Sequence, residues 1–278
     1  MMAMPMPDRA ATVRGTLGFS ESMGVRPKFH ANDSSQDVLN VTPRSVPIED
    51  ARHLRTTPSL DVEGFRLYPH RSAVRDLRDR GELERVHAEE IRRLLLEVSG
   101  ADAVIVTSPG ILRFGERSPE CGAHNNSRPA RFVHVDCSDA TAASFYARAR
   151  PDNGRRVRRS AQYNVWRALT PPPQDVPLAL CDARSIASED LIFADAIFDR
   201  DGAVVFSFEA MLLRHSPLQR WVFYSDMRAD EALVFKTHDT DPSRAHCVPH
   251  GAFDNPDCPE RAPPRISLEM RGVAFWFE

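Results

Sequence analysis

The segment RPARFVHVDCS contains the triplet His134-Val135-Asp136, whose residue types and spacing suit metal chemistry. Phe132, Val133 and Val135 are strand formers, so the triplet is expected on a β-strand. Side chains two apart on a strand point to the same face. An H-x-D there aims an imidazole and a carboxylate at one point in space. A second histidine from elsewhere completes a 2-His-1-carboxylate facial triad, which suits non-heme Fe(II) and leaves positions open for oxygen and a co-substrate. The chain has ten histidines, so the triplet gains its meaning only from residues further along the chain.

Two histidines compete for the third position. His238 lies in FKTHDT, directly after the expected strand EALVFK, and His250 lies in VPHGAFDNP. Downstream of His250 comes Arg265-Ile266-Ser267, in PPRISLEMR. Arg265 and Ser267 are again two apart on an expected strand and so face the same way. A guanidinium fork binds a carboxylate bidentately and stays charged. With a neighbouring hydroxyl it makes a receptor for the distal carboxylate of a dicarboxylate, as in 2-oxoglutarate binding. This favours His250 as the distal ligand and leaves His238 outside the triad, beside it or in a substrate pocket. Blander readings stand next to these. A histidine in a loop before a strand is more often a satisfied core or surface residue, and Arg265 has Asp254 and Glu269 as alternative ion-pair partners. The order H-x-D, long β-rich insert, His and R-x-S is what ties the elements together.

These residues need a β-rich frame. Between Asp76 and Val98, apolar Leu77, Leu83, Val86, Ile91, Leu94, Leu95 and Val98 recur at helical spacing, with Gly100 as the stop. The spacing predicts a helical buttress at about 76–98, flanked by the strands DVEGFRLYPHR and ADAVIVTS. Beyond it, short runs such as YNVWRAL, PLALCD, LIFADAIF, AVVFSFEAML and RWVFYSDM are separated by Pro, Gly and Asp turns. Many short strands with turn punctuation predict a mainly β protein with flanking helices, a jelly roll over 61–278. Residues 1–60, rich in Pro, Ser, Asp and Asn, are expected as a partly irregular N-terminal arm with one short strand at 17–19.

Composition narrows the function classes. The 278 residues carry a formal net charge of −3 and are 42% hydrophobic, giving no general argument for nucleic acid or an anionic membrane as partner. No run is apolar for long enough to span a bilayer, and the start lacks a secretory h-region. Five widely spaced cysteines without a C-x-x-C pair argue against a disulfide scaffold or structural zinc, and for a reducing, cytoplasmic location. Six arginines between 148 and 159 lack interleaved aromatics and read as a solvated loop. No G-x-S-x-G elbow, P-loop or Rossmann glycine pattern is present.

The blocks RFVHVDCS, YNVWRAL with PLALCDARS, RWVFYSDMRADEALVFKTHDT, PHGAFDNP and PRISLEMRGVAFW together resemble one oxygenase family. It is the Fe(II)/2-oxoglutarate-dependent family that includes the cephamycin 7α-methoxylase accessory subunit, the fungal gibberellin desaturase and a fungal endoperoxide-forming oxygenase. The resemblance runs from about Leu60 to the C-terminus. It implies a double-stranded β-helix (cupin-like), with Fe(II), 2-oxoglutarate and O2 acting on a small molecule of specialised metabolism by C–H abstraction. Hydroxylation, desaturation and oxidative cyclisation are all open outcomes. It implies His134, Asp136 and His250 as iron ligands, with Arg265 and Ser267 for 2-oxoglutarate. His238 departs from the family pattern, in keeping with a peripheral role.

Other residues are less determined. Strand alternation places Asn164 and Trp166 on one face and Arg167 on the other. Asn164 is expected to hydrogen-bond the co-substrate and Trp166 to belong to the core, while Lys236 and Asp239 are expected as an internal ion pair. Tyr224 and Arg220 are candidates for the pocket lining. A homodimer is the expected assembly. The main rivals are a non-catalytic accessory or substrate-binding subunit, against which an intact triad with its R-x-S argues, and a metal-free β-barrel binding protein.

Overall fold

The computed structural model describes residues 11–278. Its first strands are β1 (Thr12–Ser20), β2 (Lys28–His30), β3 (Val41–Asp50), β4 (Phe65–Pro69), β5 (Ala103–Val106), β6 (Ile111–Phe114) and β7 (His134–Val135). After them come β8 (Val157–Ala168), β9 (Leu178–Cys181), β10 (Leu191–Arg200), β11 (Ala203–Leu213) and β12 (Trp221–Phe223). The last three are β13 (Glu231–Asp239), β14 (His250–Ala252) and β15 (Ile266–Phe277). A nine-stranded sheet runs β1-β3-β12-β9-β14-β7-β11-β10-β2, and a six-stranded sheet runs β4-β13-β8-β15-β5 with β6 also on β15. The expected double-stranded β-helix is present.

The two sheets face each other, and strand alternation sorts the long central strands. On β8, Ala161, Tyr163 and Val165 face outward, where they meet Ile91, Leu94 and Leu95 of the helix. Gln162, Asn164, Trp166 and Ala168 face inward. Trp166 and Ala168 join Phe65, Leu233 and Phe235 of the same sheet against Leu180 and Val222 of the other. Ile91 and Leu95 are fully buried, which stabilises the docked helix by about 1.5–3 kcal/mol each.

The helix begins as α1 (Arg80–Glu82), passes through a π-helical turn (Leu83–His87) and continues as α2 (Ala88–Ser99). The Asp79 side chain accepts from the Glu82 N–H at 2.8 Å, and Gly100, at φ 66°, supplies the left-handed C-terminal stop. The wide turn shifts the apolar phase by one residue. Leu83 and His87 are therefore buried, while Val86, counted in the helical period, is 38% exposed.

The N-terminal segment differs from expectation. Its described part supplies β1 and β3, paired antiparallel over nine residues each, from Thr12 with Glu49 to Ser20 with Val41. Pro43 and Pro47 interrupt the sequence period, yet β3 pairs with β12 only over Ile48–Asp50, so the prolines sit where one edge has no ladder partner. Residues 1–10 lie outside the described part. A third helix, α3 (Asp139–Ala149), falls where only β-rich runs were expected. Its signal is Ser138, whose hydroxyl accepts from the Thr141 N–H at 3.3 Å.

Gly18 on β1 fixes the approach to the H-x-D segment. Its N–H donates to the Arg131 carbonyl and its carbonyl accepts from the Val133 N–H, at 3.2 and 2.8 Å. A side chain there would meet the Arg131 carbonyl at 2.8 Å, so only glycine lets the two backbones come this close.

Candidate active site

His134 and His250 arrive from neighbouring antiparallel strands, β7 and β14, and stand directly opposite each other in the register. Their ring centroids are 4.4 Å apart. Asp136 lies just past the end of β7, with its Oδ1 3.8 Å from the His134 Nε2. One ligand atom from each of the three falls within 4.8 Å of the others, and all three residues are buried.

The hydrogen-bonding fixes which nitrogen each ring offers. A carbonyl only accepts, so the His134 Nδ1–H donates to the Phe132 carbonyl at 3.2 Å, and the His250 Nδ1–H to the Val248 carbonyl at 3.0 Å. Both Nε2 lone pairs are left facing the Asp136 carboxylate, the arrangement that metal-ligating histidines adopt. Burial pushes the His134 imidazole down to about 3, helped by His250 and opposed by Asp136. Burial likewise lowers His250, against the pull of Asp136. Neutral rings beside an ionised carboxylate are what a divalent ion needs.

Burial alone would raise the Asp136 carboxyl. The Arg271 guanidinium, the two imidazoles and the Asn164 amide together outweigh it and hold the group well below the usual range. Asn164 Nδ2 donates to Asp136 Oδ2 at 2.7 Å, and Arg271 Nη2 lies 3.1 Å from Oδ1. Asn164 and Arg271 are cross-strand partners on β8 and β15, so the six-stranded sheet grips a ligand carried by the other sheet. Arg271 also pairs with Glu269 at 2.9 Å.

Arg265, Ser267, Glu269 and Arg271 keep the period of two and form an inward row leading up to and along β15. Arg265 is 1% exposed. One of its guanidinium nitrogens, Nη1, donates to the Val176 carbonyl at 2.7 Å, and the plane lies 5.7 Å from the Trp166 ring centroid. Its Nε and Nη2 and the Ser267 hydroxyl are buried with no hydrogen-bond partner among the described residues. Burial and the nearby Arg113 push Arg265 down to about 10, so it remains charged at neutral pH. The alternative partners are taken elsewhere: Glu269 by Arg271 and Asp254 by Arg131. A buried guanidinium with free donors is costly unless an anion meets them. The same cleft is lined by His134, Asp136, His250, Trp166 and Arg265. The residues present thus fit both Fe(II) and a dicarboxylate.

Next to this cleft, sharing Arg271 with it, is a cavity of about 1220 Å³. Ile105, Leu112, Phe114, Phe145, Phe198, Phe206 and Phe208 give it an apolar, aromatic wall, and Arg78, Arg148 and Arg200 add charge.

The remaining sequence candidates take other places. Asn164 sits on Asp136, with its Oδ1 free of partners. Trp166 and Tyr224 are in the core between the sheets. Arg220 pairs with Asp182 at the surface, and neither Tyr224 nor Arg220 lines the cleft or the cavity. Lys236 and Asp239 form a fully buried ion pair at 2.7 Å. His238 lies apart from the triad, with Tyr146, Asp139 and His246. Within the 148–159 run, Arg148, Arg150, Arg155, Arg156 and Arg158 are exposed, whereas Arg159 packs 3.9 Å over the Trp276 ring and pairs with Asp239. The residue that sequence reasoning missed is Arg271. Its signal was the unbroken R-x-S-x-E-x-R alternation from 265 to 271.

Comparison with known proteins agrees with this geometry. A family described as "Oxidoreductase/YMDC permease-like domain" matches residues 19–275. Among the described residues, no helix is long and apolar enough to cross a membrane. The Fe(II)/2-oxoglutarate-dependent dioxygenase nvfI of Aspergillus novofumigatus (strain IBT 16806) is 30% identical over 260 residues, covering 87% of this chain and 86% of the relative. The hydroxylase/desaturase efuI of Hormonema carpetanum is 28% identical over 249 residues, covering 83% of each. The solved structure of the iron and alpha-ketoglutarate-dependent endoperoxidase NvfI superposes with a TM-score of 0.75 at 25% identity, over 96% of this chain and 99% of that one. The chain belongs to this oxidoreductase family and, within it, to the non-heme Fe(II)/2-oxoglutarate-dependent dioxygenases.

Proposed function

We propose that His134, Asp136 and His250 hold the Fe(II), that Arg265 and Ser267 bind the distal carboxylate of 2-oxoglutarate, and that the substrate is a bulky, largely apolar natural product. The observation that carries the co-substrate assignment is the buried Arg265 guanidinium lining the cleft of the triad, whose Nε and Nη2, like the Ser267 hydroxyl two residues on, have no hydrogen-bond partner among the described residues. When bound, iron with 2-oxoglutarate and O2 supplies oxidative attack on a C–H bond, with hydroxylation, desaturation or oxidative cyclisation as outcomes.

The protein's own residues do the positioning. The Phe132 and Val248 carbonyls lock the two imidazoles with Nε2 inward. Asn164 and Arg271 hold the Asp136 carboxylate from opposite oxygens, a buttressing role for Asn164 in place of direct contact with the co-substrate. Arg265 offers its unused fork edge, and Trp166 under it excludes water. The aromatic wall of the 1220 Å³ cavity supports a multi-ring substrate, with Arg271 at the junction where a C–H bond must be presented.

The test is anaerobic titration with Fe(II) and 2-oxoglutarate, following the weak visible charge-transfer band. Wild type develops the band. His134→Ala and Asp136→Ala do not, and if they develop it as readily as wild type the metal site lies elsewhere. Arg265→Ala removes one side of a buried charge pairing worth about 2–5 kcal/mol, raising the 2-oxoglutarate requirement by roughly 30- to 3000-fold.

We further propose that the enzyme works in the cytoplasm as a homodimer, without nucleic acid or membrane. Cys121, Cys137, Cys181 and Cys247 are free thiols, in keeping with a reducing compartment. Phe193 and Val205, on the side of β10 and β11 opposite Phe198 and Phe206, are each more than half exposed, and such apolar side chains suit contact with a second copy. Light scattering after size exclusion decides the mass, and a monomer at working concentration removes this assembly.

A further inference from the structure

A second 2-His-1-carboxylate cluster lies outside the active site. The Asp139 Oδ1 is 3.0 Å from the His246 Nε2 and 3.3 Å from the His238 Nε2, and one ligand atom of each residue lies within 4.8 Å of the others. Asp139 opens α3, His238 is near the end of β13, and His246 is on the loop that leads into β14. A tetrahedral zinc ion with bonds of about 2.0–2.1 Å sets its ligand atoms about 3.3 Å apart. The observed separations from Asp139 are close to that, and Asp139 and His246 are exposed enough to adjust the rest.

The ring tautomers make the cluster more than a pair of hydrogen bonds. His246 Nδ1 is 3.0 Å from the Asp239 carbonyl, so it must donate there. The Tyr146 hydroxyl engages His238 from the other side, 2.8 Å from its Nδ1 and 3.3 Å from its carbonyl. His246 Nε2 is within hydrogen-bond distance of the Asp139 carboxylate at 3.0 Å, whereas His238 Nε2 faces the same oxygen at 3.3 Å without a hydrogen bond. His238 is 5% exposed, and its Nε2 is buried with no hydrogen-bond partner. Protonating both rings would set two cations with centroids 4.6 Å apart over one carboxylate, one of them buried. A divalent cation between the three groups would engage the buried His238 Nε2, the His246 Nε2 and the carboxylate with a single charge centre.

We propose that Asp139, His238 and His246 form a second metal site, separate from the active-site triad, that takes Zn2+ as a structural ion. Imidazole and carboxylate ligands suit zinc, which outcompetes Fe(II) at such a set. Three protein ligands leave a fourth position for water on the exposed side. The ion ties the start of α3 to the end of β13 and to the loop before β14. Asp139 is three residues beyond Asp136 and His246 is four before His250, so the clamp steadies both segments that carry the triad.

Zinc binding to metal-free protein tests this by equilibrium dialysis with metal analysis. Zinc also enters the triad, so the Asp136→Ala background isolates the second site. One Zn2+ per chain is expected there, and His246→Ala in the same background should weaken it by more than about 100-fold, beyond the effect of losing an outer partner. In the otherwise wild-type chain the stoichiometry should fall from two to one on His246→Ala, a surface change that spares the core. The idea is overturned if Asp136→Ala binds no zinc, or if His246→Ala leaves the binding unchanged in both backgrounds. In the latter case Asp139 is merely ion-paired to a protonated histidine.

Discussion

The two His/His/Asp clusters share ligand chemistry and differ in what surrounds them. In the triad all three residues are buried, both Nδ1 atoms donate to backbone carbonyls, and the carboxylate is held by Asn164 and Arg271. The buried Arg265 guanidinium and a large cavity adjoin it. In the second cluster only His238 is buried, and the Asp139 side chain is 80% exposed with no arginine among the described residues against it. Ligand identity therefore sets which metals can bind, while the surroundings set whether chemistry results. Open positions are useful only where a dry pocket brings co-substrate and substrate to them.

That contrast can be broken at several points. The largest expected effect is at the triad, where His134→Ala or Asp136→Ala should reduce O2-dependent succinate release to background; retained turnover would remove the distinction. Next comes the anchor. Arg265→Ala should raise the KM for 2-oxoglutarate by roughly 30- to 3000-fold, and addition of guanidinium should partly restore it if only the fork is missing. Asn164→Ala should weaken iron binding by about 10–100-fold, as expected for a partner that orients a ligand, with the 2-oxoglutarate KM changing less than in Arg265→Ala. A larger change in that KM would return Asn164 to direct contact with the co-substrate. The smallest effect is at the second cluster. Zinc should raise the thermal midpoint of the Asp136→Ala protein by mass action on the folded state, and His246→Ala should abolish that rise. Equal zinc responses with and without His246 would leave the triad as the sole metal site among the described residues.

Much of this was legible where the physics is local. Two-residue periodicity placed His134 with Asp136 and Arg265 with Ser267, and Gly100 ended the helix at its left-handed position. Local reading failed where a neighbour overrode it. The prolines of β3 concealed a strand that the nine-stranded sheet supports on one side, and the π-helical turn rotated Val86 out of the buried stripe. Asn164 was assigned to the inward face correctly, yet its partner is an aspartate carried by the opposite sheet.

The sequence by itself determined which side chains share a face, and hence that an imidazole–carboxylate pair and a guanidinium–hydroxyl pair each point one way. Only the tertiary structure shows that His250, and not His238, stands beside His134 and Asp136, because the antiparallel register sets His250 opposite His134. It also decided that Arg271 guards Asp136 and that Asp139 and His246 meet at His238. Both are contacts between strands or loops far apart in the chain. A strand's own period fixes direction but not partner, since pairing register is set by the packing of whole sheets.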